Sequence, residues 1–211
     1  MKHRGILVVV SGFSGAGKGT LMKRMIQTYD NYALSVSMTT RAPREGEENG
    51  REYFFVSKEA FEEKISQDGL VEYAGYCGNY YGTPKEYVET QLAAGKDVIL
   101  EIEIQGALKV KQKFPTALLV FVMPPTAEEL KRRLVGRGTE TAEVIEKRLK
   151  RASEEAEGIE NYDYIVINDD LEECTKELHS MIRAAHHAPY RNEEFIENMR
   201  QELSVLVKGE E

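Results

Sequence analysis

Nine residues near the start of the chain, Gly12-Phe13-Ser14-Gly15-Ala16-Gly17-Lys18-Gly19-Thr20, constrain its fold more than any other feature. The apolar run Ile6–Val10 leads into them and the helix-forming run Leu21–Ile26 leads out, so they form a strand-to-helix turn. Glycines at this spacing let consecutive backbone N–H groups turn inward around an anion, at the positive end of the helix that follows. Lys18 then supplies a point charge on a flexible stem, able to reach the outer phosphates of a bound polyphosphate. Such a turn works only when its strand is buried in a sheet and its helix packs on that sheet. The rest of the chain fits this: Gly5–Val10, Asp97–Ile104, Ala117–Met123 and Tyr162–Ile167 read as buried strands rich in Val, Ile and Leu. Helical stretches at Lys18–Thr28, Gln105–Lys113, Thr126–Val135, Ala142–Ala156 and Leu171–His186 alternate with them. The alternation predicts an α/β fold, a parallel sheet with helices on both faces and right-handed crossovers.

Residues 34–92 break this rhythm. Ser35-Val36-Ser37, Tyr53–Val56, Val71–Tyr73 and Tyr80-Tyr81 are short strand-like pieces joined by Gly, Asn and Pro, which predicts a small mixed or antiparallel lobe inserted into the core. Within it Ser57–Gln67 reads as a helix stopped by Asp68-Gly69. A second helix is expected from Thr83-Pro84-Lys85-Glu86, with Thr83 as N-cap, Pro84 at the first helical position and Glu86 closing a capping box; Gly95 ends it. A charged helical hairpin over 126–158, broken by Gly136-Arg137-Gly138, reads as a lid. The expected organisation is one domain, 1–211: a core over 1–33, 93–125 and 159–187, the lobe, the lid, and a C-terminal extension over 188–211.

Two details sharpen the chemistry. The strict phosphate-loop pattern has Ser or Thr directly after the lysine, whereas here that position is Gly19 and Thr20 is the nearest hydroxyl. Magnesium is then expected to be held through water, by Thr20 and by carboxylates elsewhere. Second, Arg41 and Arg44 stand three apart across a proline. Alone they would read as surface loop charges, but near a phosphate loop two guanidinium forks suit one dianionic phosphate. Composition limits the partner: 28 Lys and Arg against 36 Asp and Glu give a net charge of −8, which argues against a nucleic-acid polymer. A mononucleotide needs only a few placed cations.

The segments Ser37-Met-Thr-Thr-Arg41-Ala-Pro-Arg44, Glu48-Asn-Gly-Arg-Glu-Tyr53-Phe-Phe-Val56, Gly78-Asn-Tyr-Tyr81-Gly-Thr83 and Leu100-Glu101-Ile-Glu103-Ile-Gln-Gly106 closely resemble guanylate kinase. So do Gly136-Arg137-Gly138 and Tyr162-Asp-Tyr164 with Asn168-Asp169, and the resemblance runs in order from about Gly5 to Ala188. It implies a P-loop nucleoside-monophosphate kinase that transfers the γ-phosphoryl of ATP to GMP, with dGMP as a further acceptor and Mg²⁺ as cofactor. The Gly19 variant of the loop is familiar in that class.

By the resemblance, Gly12–Thr20 bind ATP. Arg41, Arg44, Tyr53 and Tyr81 hold the GMP phosphate, while Ser37, Glu72, Thr83 and Glu101 surround guanine. The chemistry agrees: guanine presents two adjacent donors beside an acceptor, so a carboxylate accepts from both donors while a hydroxyl donates to O6. Adenine would leave Glu72 unpaired, at a cost of about 1–3 kcal/mol or more. Arg133, Arg137 and Arg148 match the lid's phosphate-facing arginines. With Lys18 and Arg41 they are the expected catalytic cations, because phosphoryl transfer needs in-line positioning and positive charge.

Glu101 and Glu103 are expected on one face of a strand; Glu103, with Thr20, is expected to hold the magnesium through water, although the family commonly has aspartate at position 103. Lobe and lid are expected to close over the substrates and exclude water. Rival readings are a non-catalytic guanylate-kinase-like interaction domain, which lacks an intact phosphate cradle, and a monophosphate kinase for another base.

The remaining features carry less. His186-His187 sit at a helix end, with no ligand pattern around them. Cys77 and Cys174 are the only cysteines and are expected to be reduced. No apolar run approaches the roughly 18 residues of a membrane span, and no signal sequence is evident, so a cytoplasmic protein is expected. In Arg191–Val207, Phe195, Met199, Leu203 and Leu206 recur at helical spacing. They predict a helix docked on the core, with a homo-oligomer contact as the alternative.

Overall fold

A computed structural model describes residues 4–76, 78–136 and 141–208. Its main sheet has five parallel strands in the order β2-β7-β1-β8-β9. They are β1 (Leu7–Gly12), β2 (Tyr32–Leu34), β7 (Asp97–Glu101), β8 (Leu118–Met123) and β9 (Tyr164–Ile167). The central strand shows why the sheet is covered twice. Val8 and Val10 face one way, into a core with Leu21, Met22, Met25, Leu178 and Ile182 of α1 (Lys18–Thr28) and α7 (Leu171–His186). Leu7 and Val9 face the other way, against Val88 and Leu92 of α3 (Lys85–Ala93) and Ala107 and Val110 of α4 (Ile104–Lys113). Alternating side chains on a strand buried on both faces must all be apolar, and Leu7–Val10 are.

The inserted lobe is a mixed four-stranded sheet, β4-β3-β6-β5. Here β3 (Ser37–Thr39) runs parallel to β4 (Tyr53–Phe55) and antiparallel to β6 (Asn79–Pro84), which pairs antiparallel with β5 (Leu70–Tyr76). Met38, Phe61 and Leu70 form its own small core beneath α2 (Lys58–Ser66). The Ser57 hydroxyl accepts from the Ala60 amide and caps α2, and Asp68, at φ 51°, turns the chain out of it. The two helices of the expected lid are α5 (Ala127–Gly136) and α6 (Ala142–Ala156). The C-terminal helix is α8 (Glu193–Lys208). No helix among the described residues is long and apolar enough to cross a membrane.

The structure corrects four expectations. β2 has no counterpart in the sequence reading; three residues are too few for periodicity to show, and it forms only by pairing with β7. Thr83 does not cap α3. Pairing of Leu70 with Pro84 and an Lys85 amide bond to the Gly69 carbonyl carry β6 through Pro84, so the helix starts one residue after the proline. β7 ends at Glu101, and Glu103 is instead the N-cap of α4, its carbonyl accepting from the Ala107 amide. Finally, α8 forms as expected but is not docked: Phe195, Met199, Leu203 and Leu206 are all exposed. Cys174 is buried, which raises its thiol to about 12, while Cys77 lies outside the described residues.

Candidate active site

The phosphate loop stands at the carboxyl end of β1, where strand order reverses and ligands bind in open α/β sheets. Its shape is enforced from outside as well as by its glycines. Gly17 sits at φ +89° as the residue before α1, and a Cβ there would lie 2.4 Å from the Asn168 side-chain nitrogen. That buried amide donates to the Ala16 carbonyl at 2.8 Å, so the rim of the loop is pinned by the turn after β9. No side chain caps α1, which leaves its positive end facing the loop. Lys18 folds over the loop, its Nζ donating to the carbonyls of Gly12 at 2.6 Å and Phe13 at 3.2 Å. Phe13 is buried edge-on against Phe121 and anchors the loop to β8.

Ser14, Gly15, Gly17, Lys18, Gly19, Thr20 and Glu101 line one cleft of about 400 Å³. Glu101 reaches it because β7 pairs in register with β1, Glu101 beside Val10. Surrounding protein raises its carboxyl above the usual range, Lys18 opposes that, and Glu103 adds to it. Glu103 itself is turned away: it accepts from Arg151 of the lid at 2.6 Å, and Arg151 also pairs with Glu155 at 2.8 Å. Among the described residues no three His, Cys, Asp or Glu side chains cluster as a metal cage. The side-chain oxygens that share the cleft with Lys18 are those of Ser14, which takes a bond from Arg148, and of Thr20 and Glu101. That set suits a Mg²⁺ ion that keeps most of its waters and takes further ligands from phosphate oxygens.

The lid lies against the loop. Arg133 donates to the Asn168 carbonyl at 2.8 Å and reaches the Ala16 carbonyl at 3.4 Å. Glu129, four residues earlier, holds its Nε at 2.6 Å and also binds Arg132; the two guanidiniums bring the Glu129 carboxyl down to about 2. Arg148 donates to the Ser14 hydroxyl at 3.0 Å, directly above the cleft. Arg137 lies outside the described residues.

In the lobe, β3 sets Ser37 beside Tyr53 and Thr39 beside Tyr81. The rings of Tyr53 and Tyr81 meet at 6.0 Å, and the Arg41 guanidinium lies 5.3 Å from the Tyr53 ring centre and 5.7 Å from that of Phe55. Arg44 is exposed at the loop's tip. On the neighbouring strands the Thr83 hydroxyl, fully buried, donates to Glu72 Oε1 at 2.8 Å. The other oxygen of Glu72 faces Gly106 of α4, where a Cβ would stand 3.7 Å away. Burial raises the Glu72 carboxyl; the Thr83 bond and the charge of Lys109 oppose that.

The structure thus gathers Ser37, Arg41, Tyr53 and Tyr81 on one face of the lobe and joins Glu72 to Thr83. It sets Glu101 and Thr20 against the loop, and it places Glu103 with the lid. Sequence reasoning missed Asn168 and Glu47. Asn168 stood in a quoted motif without a role, because nothing local says that it reaches Ala16. Glu47 looked like one acid in an acidic loop.

A parallel five-stranded sheet with a glycine loop and lysine at its switch point, plus an inserted lobe and an arginine-bearing lid, defines a P-loop protein of the small-molecule kinase type. The family model described as guanylate kinase matches residues 4–185. Guanylate kinase from Halalkalibacterium halodurans is 48% identical over 97% of this chain and 98% of its own length. That from Bacillus subtilis is 50% identical over 88% of this chain and 92% of its own. The crystal structure of guanylate kinase from Anaplasma phagocytophilum is 33% identical, covers 90% of each chain and superposes with a TM-score of 0.69. The chain belongs to the guanylate kinase family.

Proposed function

We propose that this chain transfers the γ-phosphoryl group of ATP to GMP, with dGMP as a further acceptor, giving ADP and the nucleoside diphosphate. The observation that carries the assignment of the acceptor is the Glu72–Thr83 pair. A half-buried carboxylate whose surroundings raise it is costly unless a ligand supplies donors beyond those of Thr83. Its remaining acceptor capacity matches the adjacent N1–H and N2–H₂ donors of guanine, while the Ser37 hydroxyl can donate to O6 and Glu101 can accept from the exocyclic amine; Thr83, whose proton is on Glu72, turns to O6 only by releasing it.

The roles of the other residues follow from charge. Arg41, Arg44, Tyr53 and Tyr81 bind the GMP phosphate, whose anionic oxygen is already a nucleophile and needs no general base. The loop Gly12–Thr20 cradles the ATP phosphates with its amides, and Lys18 swings from its own loop carbonyls onto the outer phosphate oxygens. Arg133 and Arg148, held over the loop, concentrate positive charge where the migrating phosphoryl sits, with Arg137 expected beside them. Mg²⁺, when bound, neutralises charge shared between the outer phosphates. Thr20 and Glu101, which share the cleft with Lys18, would hold its waters, and Glu103 would join them only by leaving Arg151.

Cytoplasmic ATP and GMP are the natural substrates of such a site. The acidic balance of the surface supports mononucleotides over polymers, and the uncovered apolar face of α8 supports a homo-oligomer. A coupled assay of ADP formation with GMP, dGMP, AMP, UMP and CMP tests the reading. Turnover with GMP and dGMP is expected, and absence of GMP-dependent turnover would refute it.

A further inference from the structure

The two arginines of the lobe loop share one carboxylate. Pro43 and the left-handed Gly46, at φ +83°, fold the segment back on itself, and the Glu47 amide closes the turn on the Arg44 carbonyl at 3.1 Å. Glu47 is thereby carried beneath Arg41. Both of its carboxylate oxygens accept from Arg41 NH2 at 2.9 Å, and one also accepts from the Arg44 amide at 2.8 Å. On the other fork of the guanidinium, NH1 donates to the Ala42 carbonyl at 2.8 Å. Tyr53 and Phe55 pack against the same group. The paired side chains are only 15% and 18% exposed, unlike the solvated pairs Arg51–Glu48 and Lys58–Glu62 on the same lobe. The Arg44 amide and then Arg41 hold the Glu47 carboxyl below the usual range, so it stays ionised wherever the enzyme works.

We propose that Glu47 is a positioning residue for the acceptor phosphate: it orients the Arg41 guanidinium and anchors the backbone from which Arg44 reaches out, so that the first cation is aimed and the second is tethered before GMP arrives. The inference rests on the reading of Arg41 and Arg44 as the GMP phosphate site. An unrestrained arginine gives up rotamer freedom when it clamps a ligand. A carboxylate that already holds it takes on that cost during folding. The same carboxylate cancels one positive charge, so pairing can also act the opposite way, with Glu47 occupying the seat of the phosphate and competing with it. The backbone bond to Arg44 favours positioning: it shapes the loop whether or not Arg41 is engaged elsewhere, and a mere competitor would not need it.

The test is steady-state kinetics of the full chain, with GMP and ATP varied in turn, for wild type, Glu47→Ala, Glu47→Gln, Arg41→Ala and the Arg41→Ala/Glu47→Ala double variant. Thermal unfolding of each confirms that it is folded. Glu47→Ala should raise the GMP KM roughly tenfold or more, as expected when a binding group loses its alignment. The ATP KM should stay within about twofold, and Glu47→Gln should recover part of the loss because it can still accept from Arg41 and the Arg44 amide. In the Arg41→Ala background the same substitution should add less than about twofold, since coupled residues are not additive. An unchanged GMP KM in Glu47→Ala overturns the proposal, and so does a lowered one, which would make Glu47 a competitor. A full effect persisting without Arg41 also overturns it. A wild type that fails to turn over GMP removes the activity reading and this inference with it, whereas an active wild type with a silent Glu47→Ala removes this inference alone.

Discussion

Substituting Gly17 by alanine tests how the phosphate loop is held. The residue lies at φ +89°, and a Cβ would stand 2.4 Å from the Asn168 amide nitrogen, with nothing else closer than 3.7 Å. Two costs follow. A left-handed conformation costs a residue with a Cβ about 1–2 kcal/mol. Asn168 must also swing away, giving up its 2.8 Å bond to the Ala16 carbonyl inside the protein, for about 1–2 kcal/mol more. The sum is about 2–4 kcal/mol, which for a chain of this size lowers Tm by roughly 5–15 °C. A thermal-unfolding double-mutant cycle with Asn168→Ala separates the two. Removing the amide clears the space, so in that background Gly17→Ala should cost only the backbone strain, and the two substitutions together should cost about 1 kcal/mol or more less than their sum. Additive losses would show that Asn168 does not confine the loop. The ATP KM should rise in Gly17→Ala, because the displaced Asn168 also carries the carbonyl that holds Arg133.

Three further outcomes are expected. Glu72→Gln should lose GMP turnover, since an amide offers donors to guanine's donors, and yet be more stable than wild type at neutral pH. The Glu72 carboxyl is raised in the folded state by burial, so its contribution is fully present only below the unfolded value and is lost as pH rises through the folded one; the gain from Gln should therefore shrink on acidification, and melting curves at pH 4 and 7 would show it. Lys18→Ala should abolish transfer while calorimetry still detects GMP, and Arg41→Ala should do the reverse, weakening GMP with ATP affinity kept. Small-angle scattering should show a smaller radius of gyration with a bisubstrate analogue bound; identical profiles would argue against closure of lobe and lid.

How much of this was legible varied with the range of the interaction. The helices Lys18–Thr28, Ala142–Ala156 and Leu171–His186 read off the sequence with their actual bounds, because turn chemistry and apolar spacing are local. β2 escaped, since three residues carry no period, and it exists only because Tyr32 finds Asp97. Thr83 misled: Thr-Pro before Lys-Glu is a good helix start, but the strand pairing that prolongs β6 and the half-buried carboxylate of Glu72 claimed the hydroxyl first. α8 misled in another way, since a repeating apolar stripe says that a helix forms and says nothing of what covers it.

The sequence alone determined the phosphate loop, the order of sheet and helices, and the kinds of group that could meet a nucleotide. Those rest on glycine geometry, on alternation and on side-chain chemistry, all of which act between near neighbours. Only the tertiary structure decided which distant groups meet: Asn168 under the loop rim, Thr83 on Glu72, Arg148 on Ser14, and Glu103 on Arg151 instead of beside Thr20. Such pairings turn on where strand ends and helix starts fall in space, to within the reach of one hydrogen bond, and no spacing along the chain encodes that.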